Sequence, residues 1–291
     1  VCQQNRVTGV ALDTGELVPA DVVVCAADPR TALVSWLGPG APASAAKLVE
    51  RWRGRSAGEG YESKIDAVID EPPRYLADDD DVVDKLGVDP GVPTTVITPS
   101  VAGIASARRD ADRGAVARQP VMFVNVPSVA DPTMAAAEGH VFSLEVLFTP
   151  YQLSGGWERS GEPERWLEVF AGHVKPGFLD GIRDWRVVTP VDYERHFGLR
   201  RGHAPSFPGG PLAALMGRDR ELTRYETPVQ GLFLTGAGTF PGAGVWGASG
   251  RNTAAVILAR FRGRPGRGRS RGGGRGRGRG RGGSADSSTS G

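Results

Sequence analysis

Residues 231–252, GLFLTGAGTFPGAGVWGASGRN, constrain this chain more than any other stretch. Apolar Leu232, Phe233 and Leu234 predict a short buried parallel strand. Gly236, Gly238, Gly242, Gly244, Gly247 and Gly250 come next, and then the helix-compatible run Thr253–Phe261. A strand that breaks into glycines and resumes as a helix presents backbone N–H groups with no side chains in the way. The helix dipole adds partial positive charge at the same place. The expected occupant is electron-rich, such as a pyrophosphate or the edge of a flavin ring. Gly242, Gly244 and Gly247 form a literal G-x-G-x-x-G. A dinucleotide fingerprint, however, needs a second strand after its helix and an acidic residue about 20 positions on. Beyond Phe261 the residues are mainly arginine, glycine and serine, which cannot supply that strand. The segment therefore reads as the last strand–turn–helix of an α/β domain whose partner strands lie upstream.

Those upstream elements are legible in outline. Val7–Val10 and Glu16–Val18 flank an Asp13-Thr14-Gly15 turn, a hairpin signal. The run 20–26, ADVVVCA, predicts a central strand buried on both faces, closed by Ala27-Asp28-Pro29. Helix is expected over Ala45–Trp52, and a half-buried strand over Ser63–Ile69, which alternates up to Pro72-Pro73. Asp78–Asp81 reads as a solvated acidic run. A short apolar run and then Ala/Arg helix formers occupy residues 94–112, and Val121–Val126 and Val141–Phe148 are strand-like. Glu162–Val174 reads as an amphipathic helix with Trp166, Leu167 and Phe170 on one side. A short strand at Arg186–Val188, a short helix at Pro190–Phe197 and a loop over residues 198–220 complete the outline.

Charge is segregated. The formal net charge is +2, but residues 260–291 hold ten arginines and one aspartate, so residues 1–259 carry about −7. Basicity belongs to the tail, and the folded part is not expected to offer a nucleic-acid surface. An Arg-Gly segment cannot bury enough apolar area to offset its ordering entropy, so residues 263–291 are expected to be disordered. Three readings of it stay open: RNA or anionic-surface binding, an inert solubilising tail, and low-complexity sequence from a GC-rich gene. Cys2 and Cys25 form no metal or redox motif and are expected as buried, reduced thiols. His140, His173, His196 and His203 lack ligand spacing, so no metal is expected. No apolar run approaches the length of a membrane span and no secretory signal is read, so the expected compartment is cytoplasmic.

Three blocks then carry a resemblance. GAGTFPGAGVWGASGRNTAAVIL resembles the C-terminal flavin-binding signature of the phytoene desaturase-like FAD-dependent oxidoreductases. PSVADPTMAAAEGHVFSLEVLFTPY, residues 127–151, is similar to a second block, found in the pyridine nucleotide-disulfide oxidoreductase domain-containing protein 2 branch. RVTGVALDTGELVPADVVVCAADP, residues 6–29, resembles that family's hairpin and returning strand. Together the blocks cover roughly residues 5–262 in the family's order.

The resemblance implies an α/β fold: the C-terminal part of a glutathione-reductase-like FAD-binding domain with an inserted α+β substrate domain. It places residues 1–35 and 201–262 in the FAD-binding domain and residues 36–200 in the substrate domain. The implied cofactor is FAD, held by Gly236, Ala237, Gly238, Pro241, Gly242, Ala243, Gly244, Val245 and Trp246. The turn Gly242–Val245 would face the pyrimidine edge of the flavin, Gly236–Gly238 the ribityl and pyrophosphate, and Asp28-Pro29 the domain crossover. The implied reaction is hydride abstraction to flavin from a small-molecule substrate, an apolar one and contact with a membrane both staying open. No catalytic acid or base is assigned, since the cofactor carries such chemistry.

Several departures bear on this. Ala237 stands where many relatives carry an acidic residue, and Phe240 where desaturase-like relatives often have histidine. The family's N-terminal G-x-G-x-x-G unit, which binds the ADP part of FAD, has no counterpart before residue 231. The expectation is therefore a truncated copy that binds FAD weakly or not at all on its own. The alternatives are a nucleic-acid-associated protein acting through its Arg-Gly tail and an inactive pseudo-enzyme. Trp246 is expected either near the flavin or packing the helix start, Arg251 and Asn252 as solvated or capping residues, and His203 as an exposed loop histidine.

Overall fold

Short paired strands open the chain: β1 (Cys2–Gln3) with β2 (Arg6–Val7), and β3 (Gly9–Ala11) with β4 (Leu17–Pro19). The second pair is the hairpin expected around Asp13-Thr14-Gly15, with Val10 opposite Val18. The computed structural model of the chain describes residues 1–56, 58–76, 94–135, 139–244 and 246–262, with 261 and 262 described by their backbone only. The Asp78–Asp81 run and the Arg-Gly tail lie outside the described residues.

After the hairpin, β5 (Val23–Cys25) runs parallel to β11 (Leu232–Leu234), with Val23 opposite Leu232 and Cys25 opposite Leu234. The expected parallel strand at 232–234 is thus present. The expectation of a strand buried on both faces at 20–26 is not met. β5 is three residues long, its burial alternates, and Val24 is 47% exposed. Among the described residues its ladder partner is β11 alone, and the face that carries Val24 meets solvent. An apolar run marks a strand and does not guarantee that both faces are covered. Leu33, Ala45, Val49, Leu222 and Leu234 form the core beside this pair. That core reaches Trp52 on helix α1 (Ala46–Arg53).

A larger, antiparallel sheet has the order β10-β6-β9-β8-β7: β6 (Glu62–Ile69), β7 (Thr94–Ile97), β8 (Val121–Asn125), β9 (His140–Leu147) and β10 (Ile182–Val188). In β6 every second residue is buried, and Ile65, Ala67 and Ile69 join Phe142, Leu144 and Val146 of β9 in one core. Helix α2 (Val101–Asp112) starts at a Ser100 side-chain cap. Helix α3 (Glu162–Ala171) fills the core with Trp166, Leu167 and Phe170, as its periodicity predicts. It is capped at Gly172 and stops short of Val174. The opposite face of β6 is charged: Lys64 sits opposite Glu145 and pairs with Asp66 at 2.9 Å.

Strand β10 starts at Ile182, four residues before the predicted one. Its early residues Arg183 and Asp184 are exposed and polar, as suits an edge strand with a register shift there. Helix α4 (Pro190–Phe197) matches its expected bounds: Thr189 and Asp192 form a capping box and Gly198, left-handed, ends it. The segment 198–220, expected as loop, contains a short helix at Pro211–Leu215, and another starts at its end, Arg220–Thr223. Helix α5 (Ala248–Arg262) begins five residues before the predicted start. Among the described residues no helix is long and apolar enough to cross a membrane, and no group of three His, Cys, Asp or Glu could hold a metal ion.

Candidate functional site

The glycine-rich connection from β11 to α5 is tied back to the sheet by small hydroxyls. Thr235 N–H donates to the Cys25 carbonyl at 2.9 Å, extending the parallel pairing by one residue. The chain then turns at Gly236, where φ is +84° and a Cβ would stand 3.0 Å from the Ala26 carbonyl oxygen. Ser249 in the first turn of α5 accepts the Gly236 N–H at 2.8 Å and donates to the Gly236 carbonyl at 3.0 Å. Thr253, one helical turn on and 1% exposed, donates to Ser249 O at 2.8 Å and lies 3.0 Å from the Thr235 hydroxyl. Both hydroxyls are buried, and they fix the start of the helix against the end of the strand. Sequence reasoning missed them, although Ser249 and Thr253, four apart, share one helix face.

The rest of the connection is held by backbone contacts. Thr239, fully buried, donates through Oγ1 to Gly236 O at 2.9 Å. Phe240 N–H donates to Leu222 O, and Phe240 O accepts from the Tyr225 hydroxyl at 2.9 Å. Asn252 donates to that same hydroxyl at 2.9 Å. It thereby fastens α5 to Tyr225, and the expectation of a solvated or capping side chain is corrected.

The predicted cofactor residues divide into two groups. Gly236 and Ala237 are half-buried and Gly238 is buried: Ala237 O accepts from Phe207 N–H at 2.9 Å, and a Cβ on Gly238 would stand 2.6 Å from Pro29. Half-buried Pro241, which comes after a cis Phe240–Pro241 bond, and Gly242 carry the chain outward. Ala243 and Gly244 are exposed, and Val245 lies outside the described residues. Trp246 is 66% exposed, with its ring over Gly244, so it does not pack the start of the helix. Phe240 stacks edge-on to Phe207 at 5.7 Å, an apolar contact in place of a polar one.

The Asp28-Pro29 turn adjoins the connection through Gly238. Asp28 accepts from Thr31 N–H and Oγ1 at 3.0 and 3.1 Å, starting the helical segment that runs to Trp36. Cys2 and Cys25 are free and half-buried, less buried than expected, since neither short strand is covered on both faces. Burial, with the nearby Asp28 carboxylate adding to it, pushes the Cys25 thiol up, which disfavours the thiolate. A cavity of about 530 Å³ opens beside this turn, with Asp28, Pro29, Trp52, Arg55, His203 and Gly238 in its wall. His203 is half-buried, not an exposed loop residue, because its ring packs on the backbone of Gly58. A comparable hollow of about 580 Å³ beside Tyr61, Arg108 and Phe148 shares no residue with the glycine turn, so size alone does not mark the site.

The architecture is a mixed α/β molecule: a five-stranded antiparallel sheet, and a parallel strand pair that ends in a glycine-rich entry to a helix. No family model matches the chain. It is 30% identical over 270 residues to "Pyridine nucleotide-disulfide oxidoreductase domain-containing protein 2" of Rattus norvegicus, a match covering 89% of this chain and 45% of the relative. The mouse protein of the same name is 30% identical over 271 residues. A "Phytoene desaturase (neurosporene-forming)" of Rhodobacter capsulatus is 29% identical over 137 residues, covering 46% of this chain and 26% of that protein. The chain is homologous to proteins with these names, and it spans about half the length of the curated relatives it matches over most of its own. A crystal structure of an oxidoreductase from Methanosarcina mazei overlaps 90% of this chain and 47% of its own, with a TM-score of 0.43 and 12% identity, too loose a likeness to carry an argument.

Proposed function

We propose that this chain supplies the flavin-ring side of an FAD-dependent oxidoreductase of the dehydrogenase or desaturase type. In this reading residues 1–35 and 201–262 belong to the FAD-binding domain and residues 36–200 to the substrate domain. The observation that carries it is the glycine-rich connection Gly236–Gly244, whose strand end is fastened by Ser249 to Gly236 and by Thr253 to Thr235, ahead of a 15-residue helix. The residues present fit a flat cofactor. Gly242 and Gly244 carry no Cβ and Ala243 carries only a methyl group, so the turn offers its main chain, with the exposed Trp246 ring beside Gly244. Bound FAD would supply the hydride acceptor for a C–H or C–N bond and return the electrons to an acceptor.

The protein's own part is orientation and electrostatics. The first-turn N–H groups of α5 and its dipole favour negative charge at the turn, which suits the N1/O2 edge of a reduced ring. Gly236–Gly238 would hold the ribityl and pyrophosphate side. Ala237 brings no carboxylate to the ribityl hydroxyls, and Phe240 turns an aromatic edge where a polar contact would serve. These residues therefore hold FAD weakly by themselves. Titration with FAD, monitored by flavin absorbance, should give a weak saturable shift that Gly242→Val removes. Nanomolar affinity, or binding unchanged by Gly242→Val, would overturn this reading.

A further inference from the structure

We propose that the free edge of β5, with the adjoining flank of α5, is an interface for a second structural unit, a parallel strand that runs into a helix. Its supplier is the polypeptide that the relatives carry outside the matched region. The inference rests on backbone pairing and packing and stands apart from the flavin reading above. In the parallel pair, Val23 N–H donates to Gly231 O at 2.8 Å and Cys25 O accepts from Thr235 N–H at 2.9 Å. Main-chain groups alternate along a strand, so Val22 and Val24 turn theirs to the opposite edge. There, among the described residues, those N–H and C=O groups have no hydrogen-bond partner. The far edge of the pair is covered, since Glu226 bridges Phe233 and Leu234 N–H donates to Tyr225 O at 2.9 Å.

Packing is incomplete on the same side. Asn252 reaches the Tyr225 hydroxyl at 2.9 Å and Arg260 reaches Glu226 at 2.6 Å, so that flank of α5 turns to the covered edge. Ala254 and Leu258, four residues apart on the other flank, are exposed. Val23 and Cys25 turn to the core beside the pair, so Val24 points to the α5 side, where it is exposed too. The hairpin that leads into β5 is equally bare. Among the described residues β3 and β4 pair with each other alone, and Val10 and Val18 on one face and Leu17 on the other are exposed. A two-stranded unit is marginal by itself, and parallel strands are normally covered on both faces. A third strand that continues the parallel order, with its helix beside Ala254 and Leu258, pairs the edge and covers Val24 together. The relatives have the polypeptide for it, since the match takes up 45% of the rat protein. A second copy brought up about a two-fold axis would meet β5 with an antiparallel strand and would not continue the order.

The test mixes the whole chain with the part of the rat relative that lies outside the match, and follows backbone hydrogen exchange by mass spectrometry. The two should associate, and exchange should slow across residues 20–26 while the five-stranded sheet stays as it is in the free chain. Val24→Pro removes the edge donor and obstructs pairing, and Leu258→Asp puts a charge under the incoming helix. Each should weaken the association about tenfold, while the free chain keeps its circular dichroism spectrum, because both side chains are exposed in it. No association, or association that both substitutions leave intact, would overturn the proposal. Dimers of the chain alone that protect residues 20–26 would assign the edge to a second copy and overturn it as well. Protection of residues 20–26 in a complex that binds no FAD would keep the interface and remove the flavin reading. FAD binding by the mixture without that protection would do the reverse.

Discussion

Glu221 is 3% exposed, and its Oε1 accepts from Arg51 at 2.6 Å and from the Trp52 indole N–H at 2.8 Å. Removing it strands a buried indole donor and a partly buried guanidinium. Glu221→Ala should therefore lower unfolding stability by about 2–4 kcal/mol in urea denaturation, and Glu221→Gln by less, because the acceptor for Trp52 survives. Its role was not legible in the sequence, where nothing in GRDRELTRYE marks one carboxylate as buried. Tyr193 was equally hidden. Burial first, then the carboxylates of Glu62, Glu145 and Asp66, push its hydroxyl up to about 12. Tyrosines of an unfolded chain ionise near pH 10, so the raised folded value stabilises nothing extra below that pH and costs stability above it. Stability should fall as pH rises from about 10 to about 12, absorbance at 295 nm should show one late-titrating tyrosine, and Tyr193→Phe should flatten that part of the stability profile.

At the level of elements, legibility tracked the strength of the local pattern. β6 alternates strictly, α3 repeats its large apolar residues at helical spacing, and α4 carries its cap and its stop in Thr189, Asp192 and Gly198, so each lies close to where its pattern puts it. The sequence pattern marks β10 only from Arg186, because an edge strand needs no apolar alternation in its first residues. The apolar run overstates the burial of β5, because strand burial depends on neighbours that its own residues do not specify. The sequence pattern starts α5 late, because glycines at 247 and 250 mask a helix whose first turn is secured by Ser249 and Thr253. Thr253→Val keeps the shape and loses those hydrogen bonds. It should cost about 1–3 kcal/mol in denaturant unfolding, and Ser249→Ala should additionally weaken FAD binding, because it frees the Gly236 main chain.

Across the whole molecule, the sequence already held the candidate site's glycines and their order, since a strand–glycine–helix connection is local. It did not hold the cavity beside that connection. Asp28, Trp52, Arg55, His203 and Gly238 come from four separate stretches, and only folding brings them to one wall. The position of His203 in particular depends on a close backbone approach between residues 58–60 and 201–203 that no periodicity announces. The central claim is that this chain meets FAD through the flavin ring and not through the adenine. Saturation-transfer NMR of FAD with the whole chain measures this even when binding is weak. The account predicts strong saturation at the isoalloxazine and ribityl protons, little at the adenine, and loss of the pattern in Gly242→Val; adenine protons saturated as strongly as the ring, or no transfer at millimolar FAD, would contradict it.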